Sequence, residues 1–320
     1  MEQSKKVISA ELKQFEIYFK EALASDVPLL NRIMDYVIRQ KGKQMRPMFV
    51  LLCARLSGAV NERSYRAAML VEILHTASLV HDDMVDDSRE RRGAFSINAL
   101  WNNRIAVMLG DNMFARGMVL SLSNEDYRIL NIYSDAIQQM IESELLQIMK
   151  SKKLNLDEDN YYKIINAKTA SFLAAACAAG ASSTFNDEEQ VNKLHLFGEK
   201  VGMAFQLKDD IFDYGDAAIG KPTGNDIKEK KITLPLIYTL NNCDPALKKK
   251  LSHIVKHQNN DKAKVAYVVE EVIKAGGIQY AEAKMFEFRD EALKILHDFS
   301  PSDTRDALEE LVRYTTDRSY

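Results

Sequence analysis

Apolar side chains recur every three to four residues along much of this chain, the period at which one face of an α-helix meets a core. The pattern holds from Ser64 into the Asp82 region, through Ala68, Val71, Ile73, Leu74, Ala77 and Ser78. It returns from Tyr133 to Met149, through Ile137, Met140, Ile141, Leu145 and Ile148, and again from Val191 to Phe212. These stretches are apolar on more than one face, which predicts helices in the core of a large bundle. Residues 172–181 are alanine-rich and predict a helix packed closely against a neighbour. Turn chemistry collects at residues 41–47, 89–93 and 215–231. The last of these reads GDAAIGKPTGNDIKEKK, with glycine, proline and lysine after a long helix, and a mobile, cationic lid is expected there. No stretch argues for a sheet.

Composition strengthens the helical reading. The six prolines stand at 28, 47, 222, 235, 245 and 301, so residues 48 to 221 contain none. Proline inside a helix costs about 3 kcal/mol, and a gap this long suits an all-α protein. There are no internal repeats and no low-complexity linkers, so one domain over residues 1–320 is expected. Net charge is −3, from 43 basic and 46 acidic residues, which gives no global footprint for nucleic acid. Cys53, Cys177 and Cys243 fit neither a disulfide framework nor a zinc spacing and suit a reducing cytoplasm. The N-terminus lacks the apolar stretch of a secretory signal, and no run approaches the roughly 20 apolar residues that span a bilayer.

Charge becomes informative where it clusters. Asp82-Asp83-Met84-Val85-Asp86 and Asp209-Asp210-Ile211-Phe212-Asp213 share one spacing. On a helix, i and i+4 lie on one face, so each cluster projects three carboxylates from the end of an otherwise apolar helix. Like charges so placed repel, and something cationic must offset them. Oxygen-only ligands that incompletely surround an ion suit Mg²⁺, which keeps waters and bridges to substrate phosphates. Aspartate is 24 of 320 residues, so one D-D-x-x-D arises by chance about 0.1 times and two about 0.01 times. Neither cluster has the glycine-bearing loop of an EF-hand calcium site.

Basic residues surround the same regions: Lys43 and Arg46, Arg91 and Arg92, Lys168 beside Thr169, then Lys221 and Lys231. One diphosphate held through metals and a second held by cations alone would use them all, and arginine's planar fork suits phosphate oxygens. At this point the sequence resembles the trans-isoprenyl (polyprenyl) diphosphate synthase family, in its long-chain type. The resemblance covers nearly the whole chain, from GKQMRP through HDDMVDDSRERRG, LGDNMFA, AKTA and FQLKDDIFDYGD to GKPTGNDIKEKKITLP. It implies the isoprenoid synthase fold, a large antiparallel helix bundle around a deep central cavity, in a cytoplasmic homodimer. It implies no nucleic acid and no membrane span, with peripheral membrane contact only for product release.

Carried over residue by residue, Asp82, Asp83 and Asp86, with Asp209, Asp210 and Asp213, would hold about three Mg²⁺ on the allylic diphosphate, two or more of them at the first cluster. Lys43, Arg46, His75 and Arg92 would bind isopentenyl diphosphate. Arg91, Lys168, Lys221 and Lys231 would bind the allylic diphosphate and stabilise it as it leaves. Thr169 and Gln206 would aim their dipoles at the developing carbocation. The family often has glycine where this chain has Lys230, a departure that touches the lid. Ala77 and Ser78 lie five and four residues before Asp82, where a bulky aromatic gives short products in this family. Their small size implies a deep tunnel and a product of roughly six to ten isoprene units, at a helical rise of about 1.5 Å per residue.

Two other readings differ in what they require. A class I terpene cyclase usually mixes asparagine, serine or threonine into its second metal motif and needs no second diphosphate site. A non-catalytic subunit of a heteromeric prenyl synthase tends to lack the aspartate clusters. This chain has both clusters and the basic residues, and the prenyltransferase reading accounts for all of them.

Overall fold

The structure is a computed structural model that describes every residue except 41, 92, 152–156, 186, 216–223 and 319–320. The chain opens with α1 (Glu2–Val7), α2 (Ser9–Ala22), α3 (Pro28–Arg39), α4 (Met45–Ser57) and α5 (Glu62–Val85). A hairpin of β1 (Glu90–Arg91) and β2 (Ala94–Phe95) leads to α6 (Ile97–Trp101), α7 (Asn103–Ser123) and α8 (Tyr127–Ser151). Next come α9 (Glu158–Ile165), one π-helical turn (Asn166–Ala170), α10 (Ser171–Ser182), α11 (Glu188–Phe212) and α12 (Asn225–Lys228). The chain closes with α13 (Leu234–Asn242), α14 (Pro245–His257), α15 (Lys262–Lys274), α16 (Gly277–His297) and α17 (Asp303–Asp317).

The all-α expectation holds, with the hairpin as the departure among the described residues. Glu90 pairs with Phe95 and Arg91 with Ala94, and Gly93 takes the left-handed φ of +76° that so tight a turn needs. Pro28, Pro47, Pro235 and Pro245 all lie in first turns of helices, where a missing N–H costs nothing. Long helices between them follow from that placement.

The chain forms two compact units: residues Met1–Ser134, Ala175–His195 and Ser300–Glu310, then Asp135–Ala174, Leu196–Phe299 and Leu311–Tyr320. In the first unit, α5 packs on α2, α4 and α7. Residues 47–54 of α4 are buried without a break, so α4 has no solvent face there. The start of α5 is fixed by a capping box, in which Asn61 accepts from the Ser64 backbone and Ser64 Oγ accepts from the Asn61 backbone. The alanine-rich helix α10 packs as closely as its sequence predicts: a Cβ on Gly180 would stand 2.2 Å from the Val50 carbonyl oxygen of α4. In the second unit, Leu207, Ile211 and Tyr214 share a core with Ile227, Leu234, Val268 and Ala281.

Among the described residues, two helical stretches, Asn103–Ser123 and Glu158–Ser182, are long and apolar enough by length and mean composition alone to cross a bilayer, and polar residues interrupt both. In the most apolar 18-residue window of each, 72% of the second is buried within the protein, as in a core helix, and 33% of the first.

Gly180→Ala should destabilise the protein by about 2 kcal/mol, because backbone faces the new methyl and cannot yield as a side chain can. Denaturant unfolding would measure it, and an unchanged midpoint would contradict the close packing of α10 on α4.

Candidate active site

Both aspartate clusters close a helix, as their spacing predicts. Asp82 and Asp83 lie in the last turn of α5 with Asp86 as its C-cap, and Asp209 and Asp210 lie in the last turn of α11 with Asp213 just beyond. Helix C-termini carry partial negative charge, so each cluster sits at the pole that disfavours it.

In the first unit, Asp82 and Asp86 are exposed and Asp83 is buried. Burial pushes the Asp83 carboxyl up, against Arg91, whose Nε and Nη2 both donate to Asp83 Oδ1 at 2.7 Å. The hairpin places Arg91 there, one strand beyond the end of α5. Asn98 braces the same turn by donating to the backbone carbonyls of Asp83 and Ser88 at 3.3 and 3.2 Å.

Arg46, in the first turn of α4, lies 2.9 Å through Nη1 from His75 Nε2 on α5. A guanidinium has no acceptor, so His75 accepts, and its imidazole is neutral with the proton on Nδ1. A cavity of about 210 Å³ in this unit is lined by His75, Asp83 and Arg91 together with Lys20, Glu72 and Thr76. Lys43 is exposed just before α4. Ala77 is fully buried and Ser78 donates to the His75 carbonyl at 2.8 Å. Neither lines this cavity, which takes Thr76, Leu79 and Val80 from α5. Arg92 lies outside the described residues.

In the second unit a cavity of about 120 Å³ brings together Lys168, Thr169, Gln206, Asp210 and Lys231, five of the residues singled out in the sequence. The π turn carries Lys168 and Thr169, and such turns often mark functional positions in helices. Gly202 on α11 lets Ala170 approach to where a Cβ would clash at 2.5 Å. Thr169 Oγ1 donates to Gln206 Oε1 at 2.7 Å, and Gln206 Nε2 donates to Asp210 Oδ1 at 2.8 Å. Lys168 pairs with Glu144 and reaches Gln147 Oε1 at 3.3 Å, and Lys231 pairs with Glu229 at 2.5 Å. Lys221 lies outside the described residues, as does the rest of 216–223 in the expected lid.

Asp213 accepts from the backbone N–H groups of Asn225 and Asp226 at 2.8 and 3.0 Å, and so anchors the segment that carries Lys231. That segment ends α12 in a left-handed turn with Lys230 at φ +58°, a conformation glycine adopts without strain. The family's glycine therefore has a local reason, and this chain departs from it against the backbone preference.

Three residues here had no signal strong enough to find them in the sequence. Tyr161 donates to Asp210 Oδ2 at 2.6 Å from within the core. Arg318 pairs with Asp209 and lies over Phe205, with its guanidinium carbon 4.3 Å from the ring centre. Asp226 lines the cavity and was hidden among the lysines of the 215–231 stretch. Burial pushes both Asp210 and Asp226 up to about 7, with the charge of Asp226 adding to the shift of Asp210 and that of Asp213 to the shift of Asp226.

Among the described residues, no three carboxylate, imidazole or thiol groups converge closely enough to enclose a metal ion. The donors are nevertheless oxygen-only and sit at negative helix ends. An ion held by one or two of these carboxylates must complete its shell with water and substrate phosphate, which is how Mg²⁺ is usually bound. The residues fit that group.

Residues 27–272 match the polyprenyl synthetase family model. The chain is 32% identical over 315 residues to "Heptaprenyl diphosphate synthase component 2" of Geobacillus stearothermophilus, covering 98% of this chain and 97% of that one. It is 33% identical over 291 residues to the octaprenyl diphosphate synthase of Escherichia coli strain K12, covering 90% of each. The fold superposes on the crystal structure of a polyprenyl synthase from Caulobacter crescentus, complexed with calcium and isoprenyl diphosphate, with a TM-score of 0.92 at 33% identity. That match covers 100% of this chain and 98% of the other. The chain belongs to the polyprenyl synthetase family and has its all-α isoprenoid synthase fold. It is a trans-prenyltransferase that condenses isopentenyl diphosphate with an allylic diphosphate.

In the metal-free protein, Asp210 and Asp226 titrate near 7 when folded, against 3.8 for an ordinary aspartate. The native state therefore binds extra protons between those values, and the stability that these two groups contribute is fully present below about pH 4 and lost as pH rises through about 7. With EDTA present, the melting temperature should fall from pH 5 toward pH 8, and Asp226→Asn should flatten that slope. A slope unchanged in the variant would show that Asp226 does not contribute to it.

Proposed function

We propose that this chain, acting as one catalytic domain over residues 1–320, builds a long all-trans polyprenyl diphosphate from a geranyl or farnesyl diphosphate primer. A quinone side chain is the product's use. The observation that carries the chemistry is the second-unit cavity, where two lysines, two carboxylates, two amides and three hydroxyls line one small space. Cations and carboxylates crowded together suit a metal-bridged diphosphate, and neither group alone would.

Asp82, Asp83 and Asp86 hold two or more of about three Mg²⁺, and Asp209 and Asp210, with Asp213, hold the remainder. When bound, Mg²⁺ neutralises the diphosphate and makes it a better leaving group. Lys168, Lys231 and Lys221 bind the same oxygens, with Arg91, and stabilise the charge that develops as the allylic C–O bond breaks. Lys43, Arg46, His75 and Arg92 hold isopentenyl diphosphate, whose double bond attacks the allylic cation. The neutral His75 offers its Nδ1 proton as a donor. Thr169 and Gln206 set the dipoles near the cation. The proton lost after condensation goes to the departed diphosphate. The stretch at 215–231 excludes water, which would quench the cation.

The enzyme is a cytoplasmic homodimer that meets membranes only peripherally, to release its product. The outer face of α7 supports the dimer: Val107, Met108, Met118, Val119 and Leu122 are exposed and share one side of the helix. The name of the Geobacillus relative, component 2, favours a second reading in which a partner chain is required.

Purified protein should be incubated with isopentenyl and farnesyl diphosphates, with and without Mg²⁺, and the dephosphorylated products sized. A metal-dependent ladder ending in one polyprenol of about six to ten units supports the proposal. No elongation by the chain alone favours the partner-chain reading. Ala77→Phe should shorten the product by several units, and an unchanged length sinks the tunnel assignment.

A further inference from the structure

Asp210 meets donors at both of its oxygens. Gln206 Nε2 donates to Oδ1 at 2.8 Å and Tyr161 Oη to Oδ2 at 2.6 Å. With Asp210 ionised, as a metal ligand must be, the direction of each bond is fixed. Gln206 Oε1 already accepts from Thr169 at 2.7 Å, so its amide nitrogen must be the end that faces Asp210. Tyr161 is a phenol, protonated at working pH, beside a carboxylate that can only accept when ionised. The ring itself is held: Tyr161 is 2% exposed, packs among Ile165, Leu207 and Ile211, and meets Tyr162 edge-on at 5.5 Å between centres.

A buried phenol needs a partner, and a backbone carbonyl is enough to satisfy one. Tyr133, also buried, donates to the Ala67 carbonyl at 3.1 Å. Tyr161 instead spends its one donor on a carboxylate of the second cluster. A carboxylate has about four lone-pair sites. Two fixed donors, one per oxygen, set its plane and leave its remaining lone pairs in fixed directions. An ion that takes only one or two protein ligands depends on such orientation more than one enclosed by four.

We propose that Tyr161 is a positioning residue for the second aspartate cluster, fixing the plane of the Asp210 carboxylate so that its unused lone pairs are presented to a divalent cation. The proposal rests on the reading of Asp210 as a metal ligand. Removing one outer hydrogen bond of this kind typically costs 10- to 100-fold in metal affinity.

The test uses Tyr161→Phe, which keeps the ring and removes the hydroxyl. Mn²⁺ is titrated into the full chain with inorganic diphosphate present, and free Mn²⁺ is read by its paramagnetic resonance signal. Tyr161→Phe should weaken Mn²⁺ binding by at least tenfold and raise the Mg²⁺ needed for half-maximal prenyl transfer, with kcat at saturating Mg²⁺ nearly unchanged. Tyr133→Phe should lower thermal stability and leave Mn²⁺ binding alone. If Tyr161→Phe does not fold, 4-aminophenylalanine at 161, which keeps a donor of similar shape, should bind Mn²⁺ far better than phenylalanine with its ring fluorinated at the same position, a non-donor. Mn²⁺ binding within twofold of wild type, beside a weakened site in Asp210→Asn, overturns the proposal alone. Unchanged binding in Asp210→Asn itself overturns the reading of Asp210 as a ligand, and the proposal with it.

Discussion

Six carboxylates stand where two helices end, beside an apolar core and at the pole of each helix that repels them. Most of the site's geometry answers that cost. In the first cluster, Asp83 is the buried member and receives Arg91 from the hairpin that follows α5. In the second, Asp209 receives Arg318, Asp210 receives Tyr161 and Gln206, and Asp213 receives two backbone N–H groups. The offset is incomplete, since Asp210 and Asp226 still titrate near 7. Buried carboxylates poised this way have room for more positive charge, which is what metal and substrate bring.

The same constraint explains the unusual backbone around the second cluster. Lys168 and Thr169 ride on a π turn, and Gly202 removes the side chain that would hold that turn away from α11. Thr169 can then reach Gln206, and Gln206 can reach Asp210. Lys230 holds a left-handed conformation so that Lys231 follows α12 toward the cavity. Each is a local cost, and each places a charged or polar group against the others.

Much of this was legible in the sequence because it depends on spacing. The proline-free stretch and the 3.6-residue pattern give the all-α class, and the doubled D-D-x-x-D gives the helix ends and their chemistry. The order of the basic blocks then carries the family. What could not be read depends on where distant segments meet. Tyr161 looks like any core aromatic, and Arg318 stands 109 residues from Asp209 with no pattern to link them. The hairpin escaped because two residues per strand leave no periodicity to detect. The neutrality of His75 follows only from its contact with Arg46.

The central claim is that these carboxylates hold metal together with diphosphate and not by themselves. Equilibrium dialysis against Mg²⁺, with and without inorganic diphosphate, tests it directly by counting ions per chain. The account predicts few bound ions with Mg²⁺ alone and about three once diphosphate is added. Equal counts under both conditions would contradict it.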